Sequence, residues 1–509
     1  MAVVEPIESS GGGRRLRLRS PATLEPVGEL EVAGEAEVQT ALERARKAQP
    51  GWGDQSLAER AQVLRRAVRV LLARQDEFLE VIVRETGKPR TEALAAEIVA
   101  ACDALEFYAK NAPRILADRS VPVHLARSKK LRISYRPLGV VAIVTPWNFP
   151  FLLSLNPSVQ ALVAGNAVLL KPSEVTPYSG QLVQELFDAA GLTEGILQVL
   201  PGDGETGAAL VEAGVDKVSF TGSVATGRKV AEACARQLLP CTLELGGKDP
   251  MIVCADADLT RAARGAVYGA FANAGQVCVS TERVYVVEEV ADAFTEKVLE
   301  EVATLRQGAE GDFEVGPMIW PTQLEVVERH VGDALARGAR VLAGGRRNPA
   351  LEGLFYEPTV LCDVNHDMDI MKHETFGPVL PIMRVRDAEE GLRLANDSCY
   401  GLNANVWTRD RRRGVELAKR LVSGAVVIND CMTTYGVAEA PFGGRRQSGI
   451  GQVNGEIGLR GNCHAQSILI DRFGSKSEFL WYPYGTQKTR RLERLMRFIW
   501  GTPLGRWLS

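Results

Sequence analysis

The sequence has no excess of positive charge: 60 Lys plus Arg stand against 63 Asp plus Glu in 509 residues, a net of −3. Without a basic field to grip a phosphate backbone, nucleic acid drops out as a primary ligand. Cysteine is scarce. The nine present are odd in number and none belongs to a C-x-x-C pair, which argues against a disulfide framework, and no metal site is expected. Long apolar runs are missing too. Met1 to Ser20 carries Gly11 to Gly13 and arginines from Arg14 to Arg19 but no hydrophobic core, so 1–20 reads as a flexible polar leader, neither signal peptide nor membrane span. No internal repeat is visible. The remainder is an ordinary globular composition, 46% hydrophobic and 24% charged. That composition, in a reduced chain of this length, predicts two to four domains and a cytoplasmic location.

An apolar series at helical spacing (Val38, Leu42, Ala45, then Leu64, Val68, Leu71) predicts mostly helices over 36–112. A continuous Val/Ile run from Gly139 to Thr145 suits a buried parallel strand. From there a βα rhythm sets in, with strands at Ala167–Leu170, Ile196–Leu200 and Lys217–Phe220 and helices at Ser158–Ala164, Gly180–Ala190 and Ala225–Ala235. A second βα section, with strand Met251–Val253, helix Leu259–Ala274 and strand Val284–Val287, runs to about Asn429. The fold class is α/β with two doubly wound, Rossmann-like domains, hinged at Gly246-Gly247.

Several polar loops follow buried strands, where open α/β sheets bind ligands. Thr145-Pro-Trp-Asn-Phe-Pro150 presents Asn148, either a turn cap or a ligand contact. Lys171-Pro-Ser-Glu174 follows the next strand, and Phe220-Thr-Gly-Ser223 opens a helix whose free N–H groups can take a phosphate. Gly202-Asp-Gly-Glu-Thr-Gly207 matches G-x-G-x-x-G, with Gly204 at its centre. No carboxylate follows about 20 residues later, however, so Glu174, upstream, is the better ribose candidate. Cys278, between Gly275-Gln276 and Ser280, sits in a turn rather than an apolar stripe, unlike a packing cysteine. Glu244 is held between Leu243 and Leu245, as one half of a buried ion pair or as a carboxylate with a raised pKa that exchanges a proton near neutrality.

Taken together, these segments resemble the aldehyde dehydrogenase superfamily. Pro146-Trp-Asn-Phe-Pro150, Lys171-Pro-Ser-Glu174, Phe220-Thr-Gly-Ser223, Glu244-Leu-Gly-Gly-Lys248, Gly275-Gln-Val-Cys278, Glu374-Thr-Phe-Gly-Pro378 and Pro441-Phe-Gly-Gly444 occur in family order. The likeness runs from about Leu16 to Ile470. It implies that Cys278 attacks an aldehyde carbon, that Asn148 and the Cys278 N–H hold the oxyanion, and that Glu244 activates the water that hydrolyses the thioester. It further implies that NAD is bound by Lys171, Glu174 and Ser223 at the adenosine and pyrophosphate end. Glu374, Phe376 and Trp147 would serve the nicotinamide end, with Leu245 and Gly204 as further contacts. Lys171 and Glu374 have a plainer alternative as surface ion-pair residues. A carboxylate at Glu174 disfavours the 2′-phosphate of NADP, while Lys171 beside it softens that preference and leaves NADP possible.

The resemblance also sets expectations about substrate, assembly and tail. Asn156-Pro157 looks closer to the fatty and aromatic aldehyde branch, and the arginine that holds the carboxylate in succinic-semialdehyde enzymes is missing near Asn156. Uncharged aliphatic or aromatic aldehydes are therefore expected, lined by Phe151, Leu152, Leu155 and Tyr435, unless these belong to the core. Gly451-Gln-Val453 replaces the family's usual Gly-Arg-Glu, leaving Glu244 as the one base. The domains implied are a dinucleotide-binding domain (21–112 and 138–246), a catalytic domain (247–459) and an oligomerisation β-arm (113–137 and 460–475) that builds a homodimer or homotetramer. In the extension 476–509, Leu492, Leu495, Met496 and Ile499 share a helical face opposite arginines. This face is expected to cover a neighbouring subunit or a channel mouth, with contact to an anionic membrane as the less favoured reading. A CoA-acylating relative and a silent scaffold are the alternatives. The first commonly lacks a base at Glu244, and Cys278, Asn148 and Glu244 together argue against the second.

Overall fold

The alternating Arg15-Leu-Arg-Leu-Arg19 folds as a strand. In the computed structural model, which describes residues 3–8 and 14–508, β1 (Val4–Glu8), β2 (Arg14–Arg19) and β3 (Pro26–Glu31) form an antiparallel sheet. Leu16 and Leu18 are buried while Arg15 and Arg17 pair across the strands with Glu31 and Glu29. Period-two alternation thus overrides the polar composition that suggested a flexible leader. The Gly11–Gly13 run lies outside the described residues. Helices Glu35–Gly53, Leu57–Ala73, Gln75–Thr86 and Ala100–Ile115 come next, as expected, with a π-helical turn at Leu94–Val99.

Chain contacts divide the protein into two units, 1–115 with 137–462 and 116–136 with 463–509. β4 (Arg119–Val121) and β5 (Lys129–Pro137) belong to the second. In the first, β6 (Val140–Val144), β7 (Ala167–Lys171), β8 (Leu197–Val199), β9 (Lys217–Thr221) and β10 (Cys241–Glu244) pair in parallel in the order 8-7-6-9-10. The other large sheet contains β11 (Asp249–Val253), β12 (Thr281–Val287), β13 (Arg340–Ala343), β14 (Thr359–Cys362), β15 (Val379–Val385), β16 (Asn403–Trp407) and β17 (Ala425–Ile428), ordered 13-14-15-12-11-16-17. A short β18 (Gly449–Ile450) closes the first sheet by pairing antiparallel with β10, opposite Leu243 and Glu244. Strands β6, β7 and β11 are almost wholly buried, which is why they read as unbroken apolar runs.

Two helices depart from the sequence reading. The one expected at Ser158–Ala164 spans Pro150–Val163, starting about two turns earlier. Pro150 is accommodated at its first turn, and Pro157 costs one backbone bond in a helix whose remaining residues are all buried, so packing overrides the local break. The helix expected to reach Ala274 stops at Phe271, where the backbone turns left-handed.

In the second unit β19 (Cys463–Asp471) pairs with β5, and β5 with β4. The tail helices Thr486–Gly501 and Pro503–Leu508 belong to this same unit. No helix among the described residues is long and apolar enough to cross a membrane.

Candidate active site

The loop that carries Cys278 is shaped by three consecutive left-handed residues, Asn273, Ala274 and Gly275, with φ of 50°, 52° and 72°. Only glycine fits the third place, since a Cβ there would lie 2.2 Å from the Gly377 carbonyl oxygen. Buried Gln276 pins the loop to its surroundings. Its amide donates to the carbonyls of Asn273 (2.8 Å) and Pro317 (3.2 Å) and accepts from the Ile319 N–H (2.7 Å). Cys278 emerges partly buried, packed with Phe149, Met432 and Tyr435 against Val277, Val279, Leu402, Phe442 and Val453. Burial above all, then Asp249, Glu374 and Glu244, pushes its thiol well up.

Glu244 ends β10, 5% exposed, and neither carboxylate oxygen has a hydrogen-bond partner among the described residues. The buried ion pair that its sequence context allowed is therefore absent, and burial alone raises its pKa well above the ordinary carboxylate value. The chain beyond it passes between two reactive groups. A Cβ on Gly246 would lie 2.1 Å from Glu374 Oε2, and one on Gly247 would lie 2.4 Å from the Cys278 carbonyl oxygen. The two glycines thus allow the strand end to abut both.

Asn148 follows β6 and is 2% exposed. Its Nδ2 donates one hydrogen to the Gln276 carbonyl (2.9 Å), which ties it to the cysteine loop and leaves its second amide hydrogen for a ligand. Its main-chain carbonyl accepts from Asn273 Nδ2 (3.0 Å) and Lys88 Nζ (2.8 Å). Lys88 is itself paired with Glu97 Oε1 (2.8 Å), in an ion pair buried to 1% and 0%, and lies 4.2 Å from the Phe149 ring centre. Glu97 Oε2 accepts from the N–H groups of Phe151 (2.8 Å) and Leu152 (3.2 Å). Lys88, Glu97, Asn273, Gln276 and Glu92, which accepts from the Asn273 N–H (2.6 Å), escaped the sequence reading. The π-helical turn holding Glu97 is a frequent mark of functional sites, but it is invisible in the residue pattern.

The residues assigned to a dinucleotide divide. Lys171, at the end of β7, is 4% exposed and pairs with Glu174 Oε2 at 3.2 Å, so it is no surface residue. Ser223 caps the helix Val224–Gln237, accepting from the Thr226 N–H (3.2 Å), beside first-turn N–H groups that no helix carbonyl can satisfy. Leu245 packs over that turn, close enough that a Cβ on Gly227 would lie 2.5 Å from its Cδ2. Glu374 accepts from the Gly247 N–H (3.0 Å), and burial raises its pKa to about 8. Phe376 stands edge-on to Trp147 at 5.4 Å, and Trp147 edge-on to Trp320 at 6.2 Å. Lys171, Glu174, Ser223 and Leu245 mark strand ends of one sheet, and Glu374 meets the glycines beside Cys278. Gly204 stands apart. The helix it opens is capped by Asp203, which accepts from the Glu205 (2.9 Å) and Thr206 (3.4 Å) N–H groups, so the G-x-G-x-x-G segment supplies its own anion.

Of the expected substrate-side residues, Phe151 and Leu155 are fully buried, Phe151 edge-on to Phe78 at 5.4 Å, and Leu152 is 7% exposed. These are core residues, because the early start of their helix turns them inward. Tyr435 does join the cluster at Cys278, and its hydroxyl accepts from Asn156 Nδ2 (3.3 Å).

The aldehyde dehydrogenase family model matches residues 7–468. The chain is 42% identical over 485 residues to the 4,4'-diapolycopene aldehyde oxidase of a Methylomonas species, covering 95% of this chain and 91% of that protein. It is 41% identical over 471 residues to a provisionally named NADP(+) succinate-semialdehyde dehydrogenase of Mycolicibacterium smegmatis, covering 92% and 89%. The structure of a Mycobacterium tuberculosis aldehyde dehydrogenase complexed with NAD+ superposes with a TM-score of 0.86 at 35% identity, covering 91% of this chain and 96% of that one. On its sequence and its two-sheet α/β fold, the chain belongs to the aldehyde dehydrogenase family, enzymes that oxidise aldehydes to carboxylic acids.

Proposed function

We propose that the protein oxidises uncharged, apolar aldehydes to acids at Cys278, with NAD as its preferred dinucleotide and NADP as a weaker alternative. The observation that carries the substrate class is the apolar packing around Cys278: Phe149, Val277, Val279, Met432, Tyr435, Phe442 and Val453. The relative named as a diapolycopene aldehyde oxidase supports this reading.

Once its thiol proton has passed to solvent, Cys278 Sγ forms a bond to the aldehyde carbon, and the charge that develops on oxygen is met by the free amide hydrogen of Asn148 and the Cys278 N–H. Losing one such donor costs about 2.7 to 4 kcal/mol of transition-state stabilisation. The carbon then loses a hydride as the thioester forms; a bound dinucleotide would supply the acceptor, with Lys171, Glu174 and Ser223 to hold its adenosine end and Glu374, beside Phe376 and Trp147, its nicotinamide end. Glu244, unpartnered and more basic than an ordinary carboxylate, takes a proton from the water that attacks the thioester carbon. The carbon–sulfur bond breaks, the acid leaves and the sulfur is restored. An unpaired base at this position supports hydrolysis over transfer to a thiol cofactor.

Assembly into a homo-oligomer follows from β19, an exposed edge strand of a three-stranded sheet that can extend across a subunit boundary. The test of function is a panel of aldehydes of increasing chain length, with succinic semialdehyde, read by reduced-cofactor absorbance with NAD and with NADP. kcat/KM should rise with chain length and exceed that for succinic semialdehyde at least tenfold. The reverse order would overturn the substrate class. Cys278→Ser should abolish turnover while leaving NAD binding intact, and turnover within tenfold of wild type would remove Cys278 from its role.

A further inference from the structure

The tail helix Thr486–Gly501 buries none of its residues. Leu492, Leu495, Met496 and Ile499 form one stripe along it. The first three are 44%, 47% and 50% exposed, and Trp500 extends the stripe at 52%. The opposite face carries Arg490, Arg491, Arg494 and Arg497, and among residues 486–501 Glu493 is the one carboxylate against these and Lys488. Just before the helix, Phe479, Leu480, Trp481, Tyr482 and Tyr484 are all exposed, by 46% to 80%. Lys488 ties this segment to the helix, donating to the Pro483 carbonyl (3.3 Å) and lying 5.5 Å from the Tyr484 ring centre. Cationic charge is thus concentrated in a tail whose parent chain is net −3.

We propose that this helix and the aromatic segment before it dock on the surface of an anionic lipid bilayer. A bilayer satisfies every part of the pattern at once. The leucine and methionine stripe enters the acyl boundary, the arginines on the other face meet phosphates, and the amphipathic rings of Trp481, Tyr482 and Tyr484 suit the headgroup level. A second copy of the tail fits less well, because it would cover the stripe but bring the arginines no anionic partner beyond its own Glu493. The helix lies on the membrane rather than across it, since it falls short of a span. The surface is independent of the substrate class proposed above, and its test uses neither aldehyde nor dinucleotide to read binding.

The full-length protein is sedimented with vesicles of phosphatidylcholine and phosphatidylglycerol, and with vesicles of phosphatidylcholine alone, at low and high salt. It should pellet with the anionic vesicles at low salt, bind the neutral ones at least tenfold more weakly and be released as salt rises. Each arginine changed to glutamine among Arg490, Arg491, Arg494 and Arg497 should weaken binding about fivefold. Leu495→Asp with Met496→Asp should abolish it, while turnover of a short soluble aldehyde, the measure that the variants are folded, stays unchanged. Absence of pelleting with anionic vesicles overturns the proposal, as does pelleting that survives Leu495→Asp with Met496→Asp. If the protein ignores vesicles and the same double variant lowers its mass in solution, the stripe is instead a contact between copies of the chain.

Discussion

Replacing Lys88 by methionine removes a cation that the structure asks to do three things. Its Nζ neutralises Glu97 at 2.8 Å, donates to the Asn148 carbonyl at 2.8 Å and lies 4.2 Å from the Phe149 ring centre, in a pair only 1% and 0% exposed. Methionine nearly matches the volume but leaves a carboxylate buried without its cation. Breaking a buried pair in this way costs about 3 to 5 kcal/mol. Glu97 also accepts from the Phe151 and Leu152 N–H groups, so the damage spreads to the first turn of the helix that begins just after Asn148. The Asn148 side-chain amide, still tied to Gln276 but on a backbone whose carbonyl Lys88 no longer holds, should drift from the oxyanion. The ceiling on the kinetic loss is removal of that donor, a factor of about 10²–10³ in kcat. Denaturant unfolding and steady-state kinetics of Lys88→Met, Glu97→Gln and the double variant test this against Asn148→Ala. kcat of Lys88→Met should fall between wild type and Asn148→Ala with KM for NAD unchanged, and the double variant should be less destabilised than the sum of the singles. A Lys88→Met enzyme with wild-type kcat and a stability loss under about 1 kcal/mol would refute the reasoning, because a buried pair cannot be broken that cheaply.

Glu244→Gln should release a burst of reduced cofactor and then stall with acyl-enzyme visible by intact mass. In the wild-type enzyme hydrolysis should quicken as pH rises through the elevated pKa of Glu244, and steady turnover of the variant would show that another base exists. Glu174→Gln should move the ratio of kcat/KM for NAD over NADP towards NADP by about tenfold, since the carboxylate that opposes a 2′-phosphate is gone while Lys171 remains; an unchanged ratio removes Glu174 from the cofactor site. Stability should fall as pH rises. Burial lifts Glu85 from 4.5 to about 7, so its protonated form favours the folded state. That contribution, about 3 kcal/mol, is whole below about pH 4.5 and lost as pH climbs through about 7. Glu85→Gln, which removes the titration and keeps one of the two acceptor oxygens used by the Tyr178 and Ser179 N–H groups, should flatten this part of the urea-midpoint profile, and an unaltered slope would show that Glu85 is not its source.

Local chemistry was enough to read the βα order, because each buried strand is a run of Val, Ile or Leu between turn residues. The same chemistry singled out Asn148, Lys171, Glu174, Ser223, Glu244 and Cys278, which lie in short motifs beside strand ends, and the family resemblance added Glu374. Even the N-terminal strand was legible as alternation in Arg15 to Arg19, though composition argued the other way. Tertiary structure decided whatever depends on partners distant in the chain. Lys88 and Glu97 look like ordinary charges on helical faces until folding buries them under Asn148, 60 residues from Lys88. Gln276 is one more polar residue until its amide spans Asn273, Pro317 and Ile319. Phe151 and Leu155 could line a channel or fill a core on apolarity alone, and only the early start of their helix placed them in the core. Gly204 carried a phosphate-loop signature that Asp203, one residue before it, had already answered. For the tail, amphipathicity was plain in the residue order, but whether the apolar stripe faces protein or solvent depends on the packing of the whole chain, which leaves it exposed. The physical reason is common to all of these. Periodicity and turn propensity act over a few residues and leave a local trace, whereas burial, ion pairing and hydrogen-bond satisfaction are set by groups that meet only after the chain has folded.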